Sequence, residues 1–328
     1  MKQLFLFFAL LATTFSSAQL FDDLANLLKA SEEDYNILAD AYTAPLGQSL
    51  THSLSNGWLT TAKTHKKLGV DFTIGLVYPR VPDAAKKIDI EGLGLTSLTS
   101  DKPTASSIFG PSQSTDFTYT LPGTGIDETV TMPGGIEDDL ISNSFITPYA
   151  QLGVGLFFDT DLIVRYVPNI ENSGVEFSMY GFGLKHNLMQ YFGPLDKLPL
   201  NVSALASYSK LSSSYELSSA NPDQKVTYDV GAFLTQLTAS IDLPIVSVMA
   251  GFGYSKGTAN MDMLGNYTVG FVDNTNISLN DPISIEQTYT GTHGVVGIRF
   301  SFFVLKTFVQ YTIQEYNTLN FGVSFSFR

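Results

Sequence analysis

Four histidines and no cysteine are all that this 328-residue chain offers for imidazole or thiolate chemistry. His186 stands between Lys185 and Asn187, and His293 shares strand parity with Arg299. Residues of these types could support a serine–histidine hydrolase acting on lipid. The nucleophile is missing, because there is no G-x-S-x-G elbow and no single serine stands out. The histidines lack HExxH-like spacing, and without thiolates a cysteine-based zinc site has no ligands. Glu137-Asp138-Asp139 and Asp273-Asn274-Thr275-Asn276 carry the hard oxygen atoms that calcium takes, but neither has EF-hand spacing. The pairs Gly92/Gly94, Gly153/Gly155, Gly181/Gly183 and Gly251/Gly253 do not extend into a nucleotide-binding fingerprint. The expectation is a protein with no catalytic residue, no metal and no cofactor. On a strand, each glycine pair would thin one face so that an aromatic ring or another segment packs close.

Composition narrows the classes further. A formal charge of −13 repels nucleic acid as a partner. The chain has 24 Phe, 16 Tyr, 27 Gly and a single Trp, and only 15% of it is charged, where about 25% is usual for a soluble protein. The opening MKQLFLFFALLATTFSSAQ reads as a secretory signal peptide over residues 1–18, with small residues before a cut near Ala18. Its apolar run falls short of the roughly 20 residues a membrane-spanning helix needs.

From residue 68 onward the pattern has period two. Ala150, Leu152, Val154, Leu156 and Phe158 alternate with Gln151, Gly153 and Gly155, and Val246, Val248, Ala250, Phe252 and Tyr254 alternate with Ser247, Gly251, Gly253 and Ser255. The polar faces are Gly, Ser, Thr, Asn and Gln rather than Lys and Glu, and aromatics gather near strand ends, as in a membrane barrel with a polar lumen and interfacial girdles. Twelve segments of this kind are counted, among them 86–95, 244–256 and 259–271, and the polar stretch 99–144 could add a pair. The expectation is an all-β, antiparallel transmembrane β-barrel of 12 to 14 strands over 68–328, in contact with outer-membrane lipid. Arg165, Lys185, Arg299 and Lys306 fall on the lumen parity of their strands, where they would balance carboxylates of the segment that precedes the barrel. The apolar set changes parity near Met179 and near Gln236, which reads as two β-bulges, either routine corrections of register or openings in the wall.

Residues 21–57 do not alternate. Leu24, Leu27 and Leu28 have helical spacing, Ser31 and Asp34 suggest a cap, and Pro45 divides the rest, so three short helices are expected, the last ending at Asn56-Gly57. Such helices cannot bury a core alone. Residues 19–67 are therefore expected to form a helical plug and hinge inside the barrel, with Tyr42, Leu54 and Trp58 as its apolar contacts to wall or ligand. His65, with Lys63, Lys66 and Lys67, would lie at the periplasmic rim.

Helices inside a barrel with irregular walls resemble, in architecture, the outer-membrane transporters for long-chain fatty acids and aromatic hydrocarbons. The segments YTAPLGQSLTHSLSNGWLTTAKTHKKLGVDFTIG (42–75) and YGFGLKHNLMQYFGPLDKLPLNVSALASYSKL (180–211) resemble an uncharacterised family of outer-membrane barrels from Bacteroidetes. The closing NFGVSFSFR resembles the signal by which barrel-assembly machinery recognises its clients, although Arg328 follows the aromatic that usually ends it. These resemblances imply the outer membrane of a Gram-negative cell and a passive channel for small hydrophobic or amphiphilic molecules. The alternatives are a structural or adhesive surface barrel and a membrane-embedded lipid hydrolase.

Overall fold

The computed structural model describes residues 23–137, 144–172, 174–193, 199–217 and 221–327; the expected signal peptide, Asp138, Asp139 and Arg328 lie outside them. A 3-10 turn over Asp23–Lys29 leads into helix α1, Glu32–Ser55. The strands after it are β1 (Val70–Pro79), β2 (Lys87–Asp89), β3 (Leu98–Thr99), β4 (Thr104–Ser106), β5 (Thr115–Thr120), β6 (Asp127–Met132), β7 (Thr147–Gly155), β8 (Thr160–Asn172) and β9 (Val175–Asn187). Then come β10 (Leu200–Glu216), β11 (Lys225–Asp242), β12 (Val246–Leu264), β13 (Asn266–Gly270), β14 (Asn276–Asn280), β15 (Ile283–Phe302), β16 (Leu305–Ile313) and β17 (Thr318–Phe327).

Ten strands close an antiparallel barrel in the order β1-β17-β16-β15-β12-β11-β10-β9-β8-β7. The expected 12 to 14 strands overcount. Residues 86–95 belong to a loop, where β2 pairs only with β4. Residues 244–256 and 259–271 are not two strands, because β12 runs through both to Leu264 and the chain then turns into the β13–β14 hairpin. Among the described residues of 99–144 none forms a wall strand, and β3, β5 and β6 form a small separate sheet.

The two parity changes have a different cause from the one expected. Strand β11 pairs with both neighbours in unbroken register through Gln236, and β9 pairs with β10 in unbroken register through Met179, while its pairing with β8 shifts just beside Met179. Neither holds a bulge; the register shift lies in β8, between Val167 and Ile170. What changes along these strands is the environment of each face. Toward the short-turn end the outward residues are apolar and exposed, as at Phe182, Leu184, Leu237, Ile241 and Phe252, while the inward ones are polar, as at Ser203, Ser207, Thr238 and Ser240. Beyond Tyr166, Tyr180, Tyr208 and Tyr254 the outward residues become Lys210, Asp229 and Lys256, and the inward ones become Leu211, Val230, Ala259 and Met261. The outer surface thus carries an apolar belt the height of a tilted strand of about 9–11 residues, edged by tyrosine, which matches lipid rather than water. Above the belt each strand faces water outside and an apolar core inside.

That core is built around α1, which occupies the barrel. The expected three helices are a 3-10 turn and one 24-residue helix, since Pro45 lies inside α1 without ending it. A proline removes its own donor to the carbonyl four residues back, here Ala41, and crowds that turn, but tertiary contacts hold the helix on either side of it. Here the Tyr42 carbonyl accepts from the Ile108 N–H (3.1 Å) and the Ala44 carbonyl from the Tyr289 hydroxyl (2.7 Å). Ser31 caps the helix by accepting from the Asp34 N–H. The Asp34 side chain turns the other way and takes the N–H groups of Thr96, Ser97 and Leu98, fastening the long loop over the barrel. Lys29 and the Val272 N–H both reach Glu128, joining the 3-10 turn, β6 and the β13–β14 hairpin.

This layering has two measurable consequences. Leu237→Arg, near the middle of the belt, is expected to destabilise the barrel by about 2–4 kcal/mol in vesicles; an unchanged urea midpoint would mean that the belt does not meet lipid. At Asp34, burial raises the carboxyl pKa, but hydrogen bonds from Ser97 and Thr96 outweigh it and hold the group below the usual value. Its contribution is therefore complete above about pH 4, the unfolded value, and is lost as pH falls through the lower folded value. Asp34→Ala should cost about 1–3 kcal/mol at pH 7 and progressively less as pH falls below about 4; a cost that does not change with pH would contradict this.

Candidate functional site

Where α1 stops, the chain does not leave the lumen. Asn56 and Gly57 end the helix, Gly57 at φ +76°, and an extended strap continues toward the short-turn end until β1 begins at Val70. A side chain at Gly57 would collide with Asn320 and Tyr149, so only glycine lets the chain turn there. The last turn of a helix leaves carbonyls without intrahelical partners, and the strap has no ladder of its own. Inside a barrel these groups must be met by the wall.

Arg165 of β8 does most of this. Its guanidinium donates to the carbonyls of Leu54 (3.4 Å) and Asn56 (3.1 Å) and to Gln151 (3.2 Å). It lies between two rings, 4.3 Å from the Trp58 centroid and 4.2 Å from that of Tyr149. Arg165 is 1% exposed, and among the described residues no carboxylate lies within ion-pair distance of it. Its charge is instead balanced by the negative end of the helix dipole and by two π faces. Trp58 donates its indole N–H to Leu54 (2.9 Å) and packs on β9, where side chains at Gly181 or Gly183 would overlap its ring.

Other strands hold the rest of the strap. Gln151 donates to the Trp58 carbonyl (3.2 Å), Gln310 to that of Leu59, and Thr312 to the Asn56 side chain (2.6 Å). Ser240 and Asp242 take Thr61, Ser240 also accepts from the Ala62 N–H, and Lys185 donates to the Lys63 carbonyl (2.9 Å). At the short-turn end Asp161 accepts from the His65 N–H and ring and pairs with Lys185 at 2.7 Å, while Arg299 pairs with Asp242 at 3.1 Å. Asp71, Lys306, Ser324 and Ser326 complete a narrow, open-mouthed recess of about 30 Å³, floored by Trp58, Leu59 and Ile163.

The four residues read as plug or ligand contacts therefore separate. Leu54, Trp58 and His65 lie along the strap, whereas Tyr42 sits higher in the loop-end core with its hydroxyl on the Gly134 carbonyl. Arg165, Lys185 and Arg299 are buried on the inward face and Lys306 lines the recess. The carboxylates that meet Lys185 and Arg299 come from the wall rather than from the helix segment, contrary to expectation. Asp71, Asp161 and Asp242 are missed by sequence reasoning, although their inward parity beside apolar neighbours was a usable signal; Tyr149 and Gln310 gave none. The two histidines weighed for hydrolysis lie on opposite faces of the wall. His186 bonds Thr160 and Tyr191 outside, and His293 bonds Gln236 inside.

Arg165→Met should leave the Asn56 carbonyl unpaired, at about 1–3 kcal/mol, while the Leu54 carbonyl keeps the Trp58 indole. Trp58 is the only tryptophan, so its emission should shift to the red, and Arg165→Lys should not restore it because an ammonium cannot fill the planar slot between two rings. Emission unchanged in the methionine variant would contradict the assignment.

A family profile described as "Family of unknown function (DUF6588)" matches residues 1–327. No curated protein matches in sequence. Among solved structures, the chain is similar to the outer-membrane protease OmpT of Escherichia coli at 10% identity and a TM-score of 0.34, covering 81% of this chain and 100% of that one. It is similar to Ail, the attachment invasion locus protein of Yersinia pestis, at 10% and 0.29, covering 80% and 100%. For the toluene transporter TodX of P. putida the values are 10% and 0.18, covering 79% and 89%. Likenesses this distant say nothing about activity or substrate.

Proposed function

The chain belongs to a family of unknown function, DUF6588, and we propose that this protein is an outer-membrane β-barrel acting as a plug-gated passive channel for small amphiphilic or hydrophobic molecules. A signal-peptide pattern in the sequence, a closed barrel and an outward apolar belt support the location. Short turns then mark the periplasmic face and long loops the outside, so α1 descends from the cell surface and the strap leaves toward the periplasm.

The gating reading rests on one observation, the polarity of the contact between plug and wall. Below the apolar core, α1 buries Thr51, His52, Ser53 and Ser55 inside the barrel, and the inner wall around the helix end and strap buries Ser203, Ser207 and His293. Side-chain atoms of all seven have no protein partner. A filler that only stabilised a barrel would be apolar or fully paired there, because an unmatched buried polar group costs about 1–3 kcal/mol. A polar seam hydrates readily, and a plug held by hydrogen bonds that water can replace is one that can move.

Planar bilayers test this. The wild type should show low, intermittent conductance, and removal of residues 21–67 should give a steady open level. A deletion variant that still migrates as a folded barrel and stays silent would favour the structural or adhesive barrel instead, a reading that the loop cap fastened by Asp34 and Glu128 otherwise supports.

A further inference from the structure

The strap ends in a basic run, Lys63, His65, Lys66 and Lys67, within a chain of formal charge −13. His65 is held by Asp161, but the three lysine side chains take no part in plug or recess. They are exposed, and among the described residues none of their ammonium groups has a hydrogen bond or a carboxylate at ion-pair distance. The acids of this end are engaged elsewhere. Asp71 and Asp161 face the recess, Asp242 holds Arg299, and Asp159 of the β7–β8 turn pairs with none of the three lysines.

The turn that carries Lys66 and Lys67 is bonded into the wall at the lower edge of the apolar belt. The Gly69 N–H closes it on the Lys66 carbonyl (2.7 Å), and the Leu68 N–H donates to the Gly155 carbonyl at the end of β7 (2.8 Å). Lys66-Lys67-Leu68 therefore lies beside Leu156-Phe157-Phe158, and the Lys67 ammonium stands 4.0 Å from the Phe157 ring centroid. The apolar neighbours point outward: Leu68 is 65% exposed, Phe157 61% and Phe158 82%. Leu68 and Phe158 also have φ of +62° and +58°, which bulky side chains rarely adopt. Tyr191 and Phe192, exposed in the short turn between β9 and β10, extend the same rim.

We propose that Lys66 and Lys67 bind the headgroup phosphate of an anionic phospholipid in the periplasmic leaflet, with Leu68, Phe157 and Phe158 against its acyl chains. Lipid fits better than a protein partner because the apolar rim continues the belt. The lysines then sit where that belt meets the headgroups, a depth at which their stems lie along apolar surface and their ammonium groups stay hydrated. An ammonium–phosphate hydrogen bond is charge-assisted, and an anionic leaflet attracts each lysine beside it. Bound lipid would moor the free end of the strap, whose other end is held by Arg165. The proposal goes beyond the channel reading and requires only that the belt meet lipid.

Native mass spectrometry tests this on the full-length protein, released from micelles that hold phosphatidylglycerol and phosphatidylcholine of identical acyl chains in equal amounts. Retention is expected to favour phosphatidylglycerol by about tenfold, the scale set by one or two lysines beside an anionic headgroup. The preference should vanish when Lys66→Gln and Lys67→Gln are combined, and survive when Lys66→Arg and Lys67→Arg are. It should be unaltered by Lys210→Gln with Lys256→Gln, beyond the opposite edge of the belt. Heat-modifiable migration in gels establishes that each variant is folded. Equal retention of the two lipids by the wild type, or an undiminished preference in the glutamine variant, would overturn the proposal. Inorganic phosphate displacing the lipid at equal concentration would overturn the lipid assignment, and polyglutamate bound in place of any lipid would hand the surface to an acidic protein. Selective retention by a barrel that stays silent after removal of the plug would discard the channel and keep the site; conductance without selective retention would do the reverse.

Discussion

A polypeptide that stops being helical inside a barrel must have its carbonyls met by the wall, and here that duty falls on Arg165. Two carbonyls of the helix end, two aromatic faces and one glutamine surround a guanidinium that has no carboxylate among its described partners. Moving α1 would strip this cation of the groups that offset its burial, and replacing the cation would orphan the Asn56 carbonyl. Helix end, strap and wall are therefore one cooperative unit. Gly57, Gly181 and Gly183 make room for the arrangement rather than adding to it, and the ion pairs of the recess fix where the strap leaves the lumen.

Much of the barrel is legible in the sequence because lipid and lumen impose strict alternation. The segments around Leu152, Leu237 and Phe252 each show one apolar face, and the inward parity of Arg165, Lys185, Arg299 and Lys306 follows from it. The errors share a cause. Alternation reports which face is apolar and carries no information about whether that apolar face meets lipid or a core. Strands β9, β11 and β12 continue past the bilayer, where the apolar face is the inner one, so an uninterrupted strand looks like a bulge at Met179 or Gln236, or like two strands over 244–271. Pro45 misleads for a related reason, since the turn around it is held by Ile108 on the Tyr42 carbonyl and Tyr289 on the Ala44 carbonyl, both far away in sequence.

Less of the site could be read in advance. His65 and Trp58 stood out as rare residue types, and their neighbourhood lies at the mouth of the lumen. The strap's partners come from many strands and are common residues, Gln151, Ser240 and Gln310, whose importance lies in where the register puts them. Asp161 and Asp242 complete ion pairs with cations that are distant in sequence. Such constellations emerge only when the barrel closes.

In the proposed channel the strap closes the lumen and must leave its place for the pore to open. With no native cysteine, Thr61→Cys with Ser240→Cys places the two sulfurs where the native hydroxyls are 3.0 Å apart. Single-channel recording of this variant before and after reduction is the direct measurement. Oxidation is expected to form the bond and abolish openings, which return on adding reductant; openings that persist with the bond in place would contradict a strap that gates.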